Sequence, residues 1–333
     1  MQKNAVIRFF LGSLIFFLVG EILIRLDEHF GFFQESKVVK IAETLTVSPI
    51  LEAVDKGTYP IQADEFRIMV IGDSYINGGG IPKDSAFARK LEAMLQTRSS
   101  ACYSKVTILD VSRPNNNMLD NYLIFHEYVD RFPPHLVILG YNFNDVQGML
   151  EIPDEEIQAL SPTEFNATEV NVSFVRKVYE VVYTSRLLRF VMKQFNIRLK
   201  AEGIFLPGSE FSRIMKRYDK AQDAHKQVQT LIDGIVDKLQ GLDSHLFFYY
   251  MPEINLIEHA GVFEEPVVQP SQLWITAHTK YATYLNGYTA FEGEKAYRYT
   301  LSKYDGHANP AGHERLAAFI MPSVEVKIRE TCP

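Results

Sequence analysis

Apolar positions along the chain alternate between short continuous runs and stretches with helical spacing. Phe66–Ile71 (FRIMVI), ended by Gly72, has the length and composition of a buried strand. Ala86–Leu95 follows with Phe87, Leu91 and Leu95 on one face of a helix. Val106–Val111 (VTILDV) predicts a second strand and Met118–Val129 a helix. Leu136–Leu139 (LVIL), after the Pro133-Pro134 stop, predicts a third strand. Leu246–Met251 (LFFYYM) predicts a fourth, and a weaker fifth lies near Tyr281–Tyr288. A last helix runs from Pro310 to about Ile328, with Asn309 as its N-cap and Pro310 in its first turn. Strands alternating with helices predict an α/β domain whose parallel sheet carries helices on both faces.

Two regions do not fit that alternation. Gln147 to Gln240 is too long for one crossover and holds helical patches at Val175–Phe195 and Phe211–Leu239, so residues 147–240 read as a helical insertion over one rim of the sheet. At the N-terminus, apolar residues dominate from Ala5 to Leu26, long enough to span a bilayer if Arg8, Glu21 and Arg25 lie near the ends. That segment reads as an uncleaved transmembrane anchor. A cleaved signal peptide is the main alternative and a buried soluble helix the third. Lys3 and Arg8 before the apolar core, against Asp27 and Glu28 after it, favour an N-terminus inside and the bulk of the chain outside the cytoplasm, periplasmic or extracellular. The expected organisation is an anchor over residues 1–30, a membrane-proximal extension over 31–65 and an α/β domain over 66–330.

Composition narrows the function classes. The chain has 333 residues, 47% hydrophobic and 23% charged, which excludes wholesale disorder and fibrous repeats. With 34 Lys+Arg against 41 Asp+Glu the net charge is −7, the wrong sign for a generic nucleic-acid binder. The two cysteines, Cys102 and Cys332, are too few for a zinc cluster, and no metal or cofactor is expected. Cys102 precedes strand two, and the last helix brings Cys332 toward the same end of the sheet. A bridge between them would suit an oxidising compartment; two unpaired thiols are the alternative.

In open parallel sheets, ligands bind at the carboxyl ends of the strands. After strand one stands Gly72-Asp73-Ser74, after strand two Ser112-Arg113-Pro114-Asn115, and after strand three Asn142-Phe143-Asn144-Asp145. Asp305-Gly306-His307 lies just before the last helix. A serine, several amide donors and a carboxylate–imidazole pair on one rim make the inventory of a serine nucleophile with an oxyanion hole. Each part alone is weak: Gly-Asp-Ser also makes an ordinary turn, and Asp-Gly-His-x-Asn also makes a helix cap. Asp73 reads as a turn former, and His313 as structural.

In order and spacing, Gly72-Asp73-Ser74, Asn144-Asp145 and Asp305-Gly306-His307-Ala308-Asn309 resemble the SGNH (GDSL-like) hydrolase superfamily over about residues 66–325. The resemblance implies a three-layer α/β/α, flavodoxin-like fold. It implies Ser74 as nucleophile, His307 as base and Asp305 as its orienting acid. It also implies an oxyanion hole from the Asn144 side chain and the backbone N–H groups of Ser74 and Asn115. Two positions depart from the family pattern, since Asn115 and Asn142 stand where glycine is usual, and the acid–base pair is Asp-x-His rather than Asp-x-x-His. The expected activity is ester hydrolysis or O-acyl transfer through an acyl-enzyme. Its substrate would be an acyl ester, on a polysaccharide or another envelope component. A non-catalytic scaffold subunit bound to a membrane-protein partner is the alternative of a different class.

Overall fold

The structure is a computed structural model that describes residues 19–22, 48–97, 102–146, 222–260, 267–302 and 305–332. The chain divides into two compact units, and the elements below all belong to the one formed by residues 40–164 and 210–333. They are, in chain order, α1 (Pro49–Asp55), β1 (Glu65–Gly72), α2 (Ser74–Asn77), α3 (Phe87–Gln96), β2 (Lys105–Asp110), α4 (Met118–Tyr128) and β3 (Leu136–Tyr141). There follow α5 (Gln222–Gly241), β4 (His245–Tyr250), α6 (Gln269–Thr276), β5 (Ala282–Asn286), β6 (Thr300–Ser302), β7 (Asp305–Ala308) and α7 (Pro310–Glu330).

The five main strands form one parallel sheet in the order β2-β1-β3-β4-β5. This is the flavodoxin-like doubly wound order, whose switch point lies between β1 and β3. Burial on both faces explains why the strands read as continuous apolar runs rather than alternating ones. Every residue of β1, β3 and β4 is buried. On one face Phe66, Ile68, Val70, Ile138 and Tyr249 meet Phe87, Leu91 and Leu95 of α3 and Leu316, Ile320 and Val324 of α7. The other face is covered by α4, α5 and α6; Trp274 of α6 packs edge-on against Tyr141 and Phe248. Each fully buried large side chain contributes roughly 1.5–3 kcal/mol.

Three features differ from the sequence reading. Residues 48–64, expected within a membrane-proximal extension, pack on the α/β unit. Val54 of α1 is buried, Tyr128 donates to Asp55 (2.8 Å), and the ring of Tyr59 tilts against Phe132 (5.2 Å). The Asp305–Ala308 segment, given no secondary structure in the sequence reading beyond its place before the last helix, is a strand, pairing antiparallel with β6 in a separate two-stranded sheet. Finally, α6 was not anticipated, because its two turns are too short to show a period. Among the described residues no helix is long and apolar enough to cross a membrane. The expected anchor, apart from residues 19–22, lies outside the described residues, as do residues 147–221 of the insertion expected over 147–240; the remainder of that insertion lies within α5, which covers one face of the sheet.

The lower end of the sheet carries the bridge between Cys102 and Cys332, with Cα atoms 5.6 Å apart. Tyr103 reinforces it by donating its hydroxyl to the Thr331 carbonyl at 2.7 Å.

Candidate active site

At the carboxyl end of β1 the chain turns sharply into α2. Gly72 makes the turn possible. Its φ is 151°, and a Cβ there would lie 2.7 Å from the Gly140 carbonyl oxygen and 2.6 Å from Ile76, so only glycine allows α2 to settle between β1 and β3. Asp73 caps α2, its side chain accepting the Tyr75 N–H at 2.9 Å. Its other oxygen accepts the Asn144 amide at 3.3 Å. Burial pushes the Asp73 carboxyl up to about 6. Ser74 is thus the first residue of a short helix at the switch point, with its side chain part-exposed.

Ser74 Oγ lies 2.8 Å from His307 Nε2, and His307 Nδ1 lies 2.6 Å from Asp305 Oδ1. With Nδ1–H donating to the carboxylate, Nε2 is left as the acceptor for the serine hydroxyl proton. Burial alone pushes the imidazole down, but the hydrogen bond and charge of Asp305, then Glu253 and Asp73, outweigh it and hold its pKa above the ordinary value. The resulting array is a hydroxyl, a base and an orienting acid in one hydrogen-bonded line. It joins residues 233 positions apart in the chain.

The loops after β3 and β2 that carry the expected amide donors are held by their own hydrogen bonds. Asn142, buried at the end of β3, donates its side chain to the Met251 carbonyl at 2.7 Å, and its backbone N–H to Asp145 at 2.6 Å. That fixes the turn Phe143–Val146 carrying Asn144. Asn142 is therefore a bracket to β4, which a glycine at that position cannot supply. The Asn144 amide spends one N–H on Asp73 and keeps the other. Asn115 has φ 66°, the left-handed conformation anticipated from its sequence. It sits in a turn closed by Asn116 N–H to the Arg113 carbonyl at 3.4 Å, with Pro114 before it, the residue pattern of a type II turn. Asn115 and Arg113 are exposed at its tip.

Sequence reasoning placed Asn77 on the rim after strand one without a role, and missed Tyr75 and Glu253. Asn77 donates to the Ser112 carbonyl at 2.7 Å and ties α2 to the loop after β2. Glu253 lies three residues beyond β4 on the same rim; looking after strand four, as after the first three, would have found it. Tyr75 gives no sequence signal beyond being next to Ser74. His313 is buried in α7, where burial pushes its pKa down to about 3, a structural histidine as read.

The sheet order, with Ser74 after β1, Asn144 after β3 and the Asp-x-His strand before the last helix, decides the architecture. The fold is a flavodoxin-like, doubly wound α/β sheet. No family model matches the chain, and no curated protein matches it in sequence. Solved structures similar to this chain include a catalytic mutant of an acetylxylan esterase from Geobacillus stearothermophilus, 11% identical over 79% of this chain and 94% of that one, with a TM-score of 0.45. A lipase/acylhydrolase from Enterococcus faecalis is 12% identical over 79% and 96%, with a TM-score of 0.45. A lipolytic protein of the G-D-S-L family from Desulfitobacterium hafniense is 12% identical over 77% and 98%, with a TM-score of 0.44.

Proposed function

We propose that the protein is a serine ester hydrolase of the SGNH type. The observation that carries this reading is the unbroken hydrogen-bond line from Ser74 through His307 to Asp305. Ser74 Oγ attacks the ester carbonyl carbon as its proton passes to His307 Nε2. The new C–O bond places a negative charge on the carbonyl oxygen, and Asp305 stabilises the imidazolium. The free N–H of the Asn144 amide and the backbone N–H groups of Ser74 and Asn115 are assigned to that oxyanion, each worth about 3 kcal/mol. The C–O bond to the leaving alcohol then breaks, the alkoxide takes the proton from His307, and an acyl-enzyme remains. Water attacks it with His307 again as base, releasing the acid and Ser74. A sugar hydroxyl in place of water makes the same intermediate an O-acyl donor.

The site needs no cofactor or metal for this sequence of steps. The substrate class we assign is an acyl ester on a carbohydrate or other envelope component. The protein is placed outside the cytoplasm on an N-terminal anchor over residues 1–30. The Cys102–Cys332 bridge supports an oxidising compartment. A purely scaffolding role calls for a blocked nucleophile, whereas Ser74 is part-exposed and paired with its base.

A fluorophosphonate label on wild type and Ser74→Ala tests the reading. Wild type is expected to label and the variant not; equal labelling of both overturns the assignment of Ser74.

A further inference from the structure

The acid–base pair is a local unit. Asp305 Oδ1 accepts both the backbone N–H of His307 at 3.0 Å and its Nδ1 at 2.6 Å, so the pair is set by its own turn and is indifferent to the position of Ser74. It is also part-exposed: the side chains of His307 and Asp305 are 27% and 41% exposed, on a strand whose sheet partner among the described residues is the short β6. Some further contact must set this unit in register with the nucleophile.

Tyr75, the next residue after Ser74, makes that contact. Its ring stacks on the imidazole of His307 with centroids 4.4 Å apart and planes 23° from parallel. Its hydroxyl donates to Glu253 Oε2, and both residues are buried. Glu253 also backs the Asp-x-His strand. A Cβ on Gly306 would lie 2.3 Å from the Glu253 carboxyl carbon, so the carboxyl group packs directly against the backbone between acid and base. Nucleophile helix, base and the segment after β4 therefore meet at one buried Tyr–Glu pair.

We propose that Tyr75 and Glu253 are positioning residues: the stacked ring fixes the plane of His307 toward Ser74, while the buried carboxyl group holds the ring and braces the strand that carries the base. The inference rests on the function proposed above and names how its base is aligned. Its electrostatics agree in sign. The charged or titratable groups facing His307 are Asp305 on its own strand, Glu253 after β4, Asp73 before α2 and His313 on α7. The carboxyl groups raise its pKa, with Glu253 second only to Asp305 among them, and Lys83 acts with His307 to keep His313 low after burial has done most of that. Burial and the nearby Glu253 hold the Tyr75 phenol well above its ordinary pKa, so it stays a donor.

The test uses the full chain, p-nitrophenyl acetate as probe, and kcat, KM and the pH profile of kcat/KM. Tyr75→Leu removes the ring and is expected to lower kcat about 10²-fold with KM within about threefold, the cost of a misaligned base. Tyr75→Phe keeps the ring and is expected to lose about fivefold. Glu253→Gln still accepts the tyrosine hydroxyl but lacks the charge, so the acid limb of kcat/KM moves to lower pH by about half a unit. An acid limb and a kcat unchanged in Glu253→Gln and Tyr75→Phe, with only thermal stability reduced, overturn the proposal, and this decision stands even if Tyr75→Leu fails to fold. Ser74→Ala runs alongside. An active Ser74→Ala variant overturns the nucleophile reading itself. An inactive one, beside wild-type behaviour of the Tyr75 and Glu253 variants, overturns only the positioning pair.

Discussion

The two ends of the sheet each join distant segments of the chain, by different means. At the amino end, the residues before β2 are tied to the end of α7 by a disulfide and by the Tyr103 hydroxyl on the Thr331 carbonyl. At the carboxyl end, α2 is tied to the strand before α7 by a hydrogen bond from Ser74, a stacked Tyr75 ring and a shared glutamate. The first end is covalent. The second is a set of non-covalent contacts, each worth about 1 kcal/mol. The difference teaches a division of labour: α7 is anchored at its far end so that its near end can present His307 with few bonds of its own. The cap at Asn309, accepting the Gly312 N–H at 3.0 Å, and Pro310 in the first turn set where that helix begins.

Breaking the covalent end should cost the most. The bridge closes a loop with a sequence separation of 230, which the chain-entropy model values at about 5 kcal/mol. Cys102→Ser with Cys332→Ser should lower unfolding stability by about 2–5 kcal/mol in a urea titration, since strain and residual structure trim the entropic value. The comparison demands a second result from the same variant. At low temperature, where it is still folded, its ester hydrolysis should stay within about twofold of wild type, because no contact near Ser74 is touched. A large loss of turnover in a folded double variant would show that the amino end governs the site directly.

The converse change sharpens the contrast. Asn144→Ala removes the amide assigned to the oxyanion, and kcat should fall about 10²–10³-fold, equivalent to about 3–4 kcal/mol of transition-state stabilisation. Stability should move by less than about 1 kcal/mol, because the hydrogen bond lost to Asp73 is long, at 3.3 Å. Steady-state kinetics and a thermal melt on the same sample read both quantities. Turnover unchanged in Asn144→Ala would remove it from the oxyanion hole and leave it as a partner of Asp73.

What the sequence could reveal follows the same division. The sheet was legible because each strand is buried on both faces and so appears as an uninterrupted apolar run, as in Leu246–Met251. Ser74, His307 and Asp305 were legible because local motifs mark them, and the sheet brings those motifs to one rim. Tyr75 and Glu253 were not, because their role exists only between segments. A tyrosine beside a serine and a glutamate after a proline carry no period, and the packing of the Glu253 carboxyl against Gly306 is visible only in three dimensions. The short strand β7 was hidden for a related reason: Asp305-Gly306-His307-Ala308 lacks the β-branched composition of a strand, and tertiary contacts impose the conformation.

Asn115 yields the smallest expected effect, and one the sequence did anticipate. Its φ of 66° lies in the left-handed region that glycine adopts most readily. Asparagine pays little for that conformation, whereas a β-branched residue meets its own backbone there. Asn115→Gly should leave stability within about 0.5 kcal/mol of wild type, a relief of sterics set against a more flexible unfolded chain. Asn115→Val should cost about 1–2 kcal/mol. The residue is exposed, so packing contributes nothing to the difference and the backbone term stands alone. If its N–H belongs to the oxyanion hole, Asn115→Val lowers kcat beyond its effect on folding as the turn rotates away, while Asn115→Gly does not. Equal kcat for both variants after correction for folded fraction would assign the oxyanion to Ser74 and Asn144 alone, and would place the loop after β2 outside the chemistry.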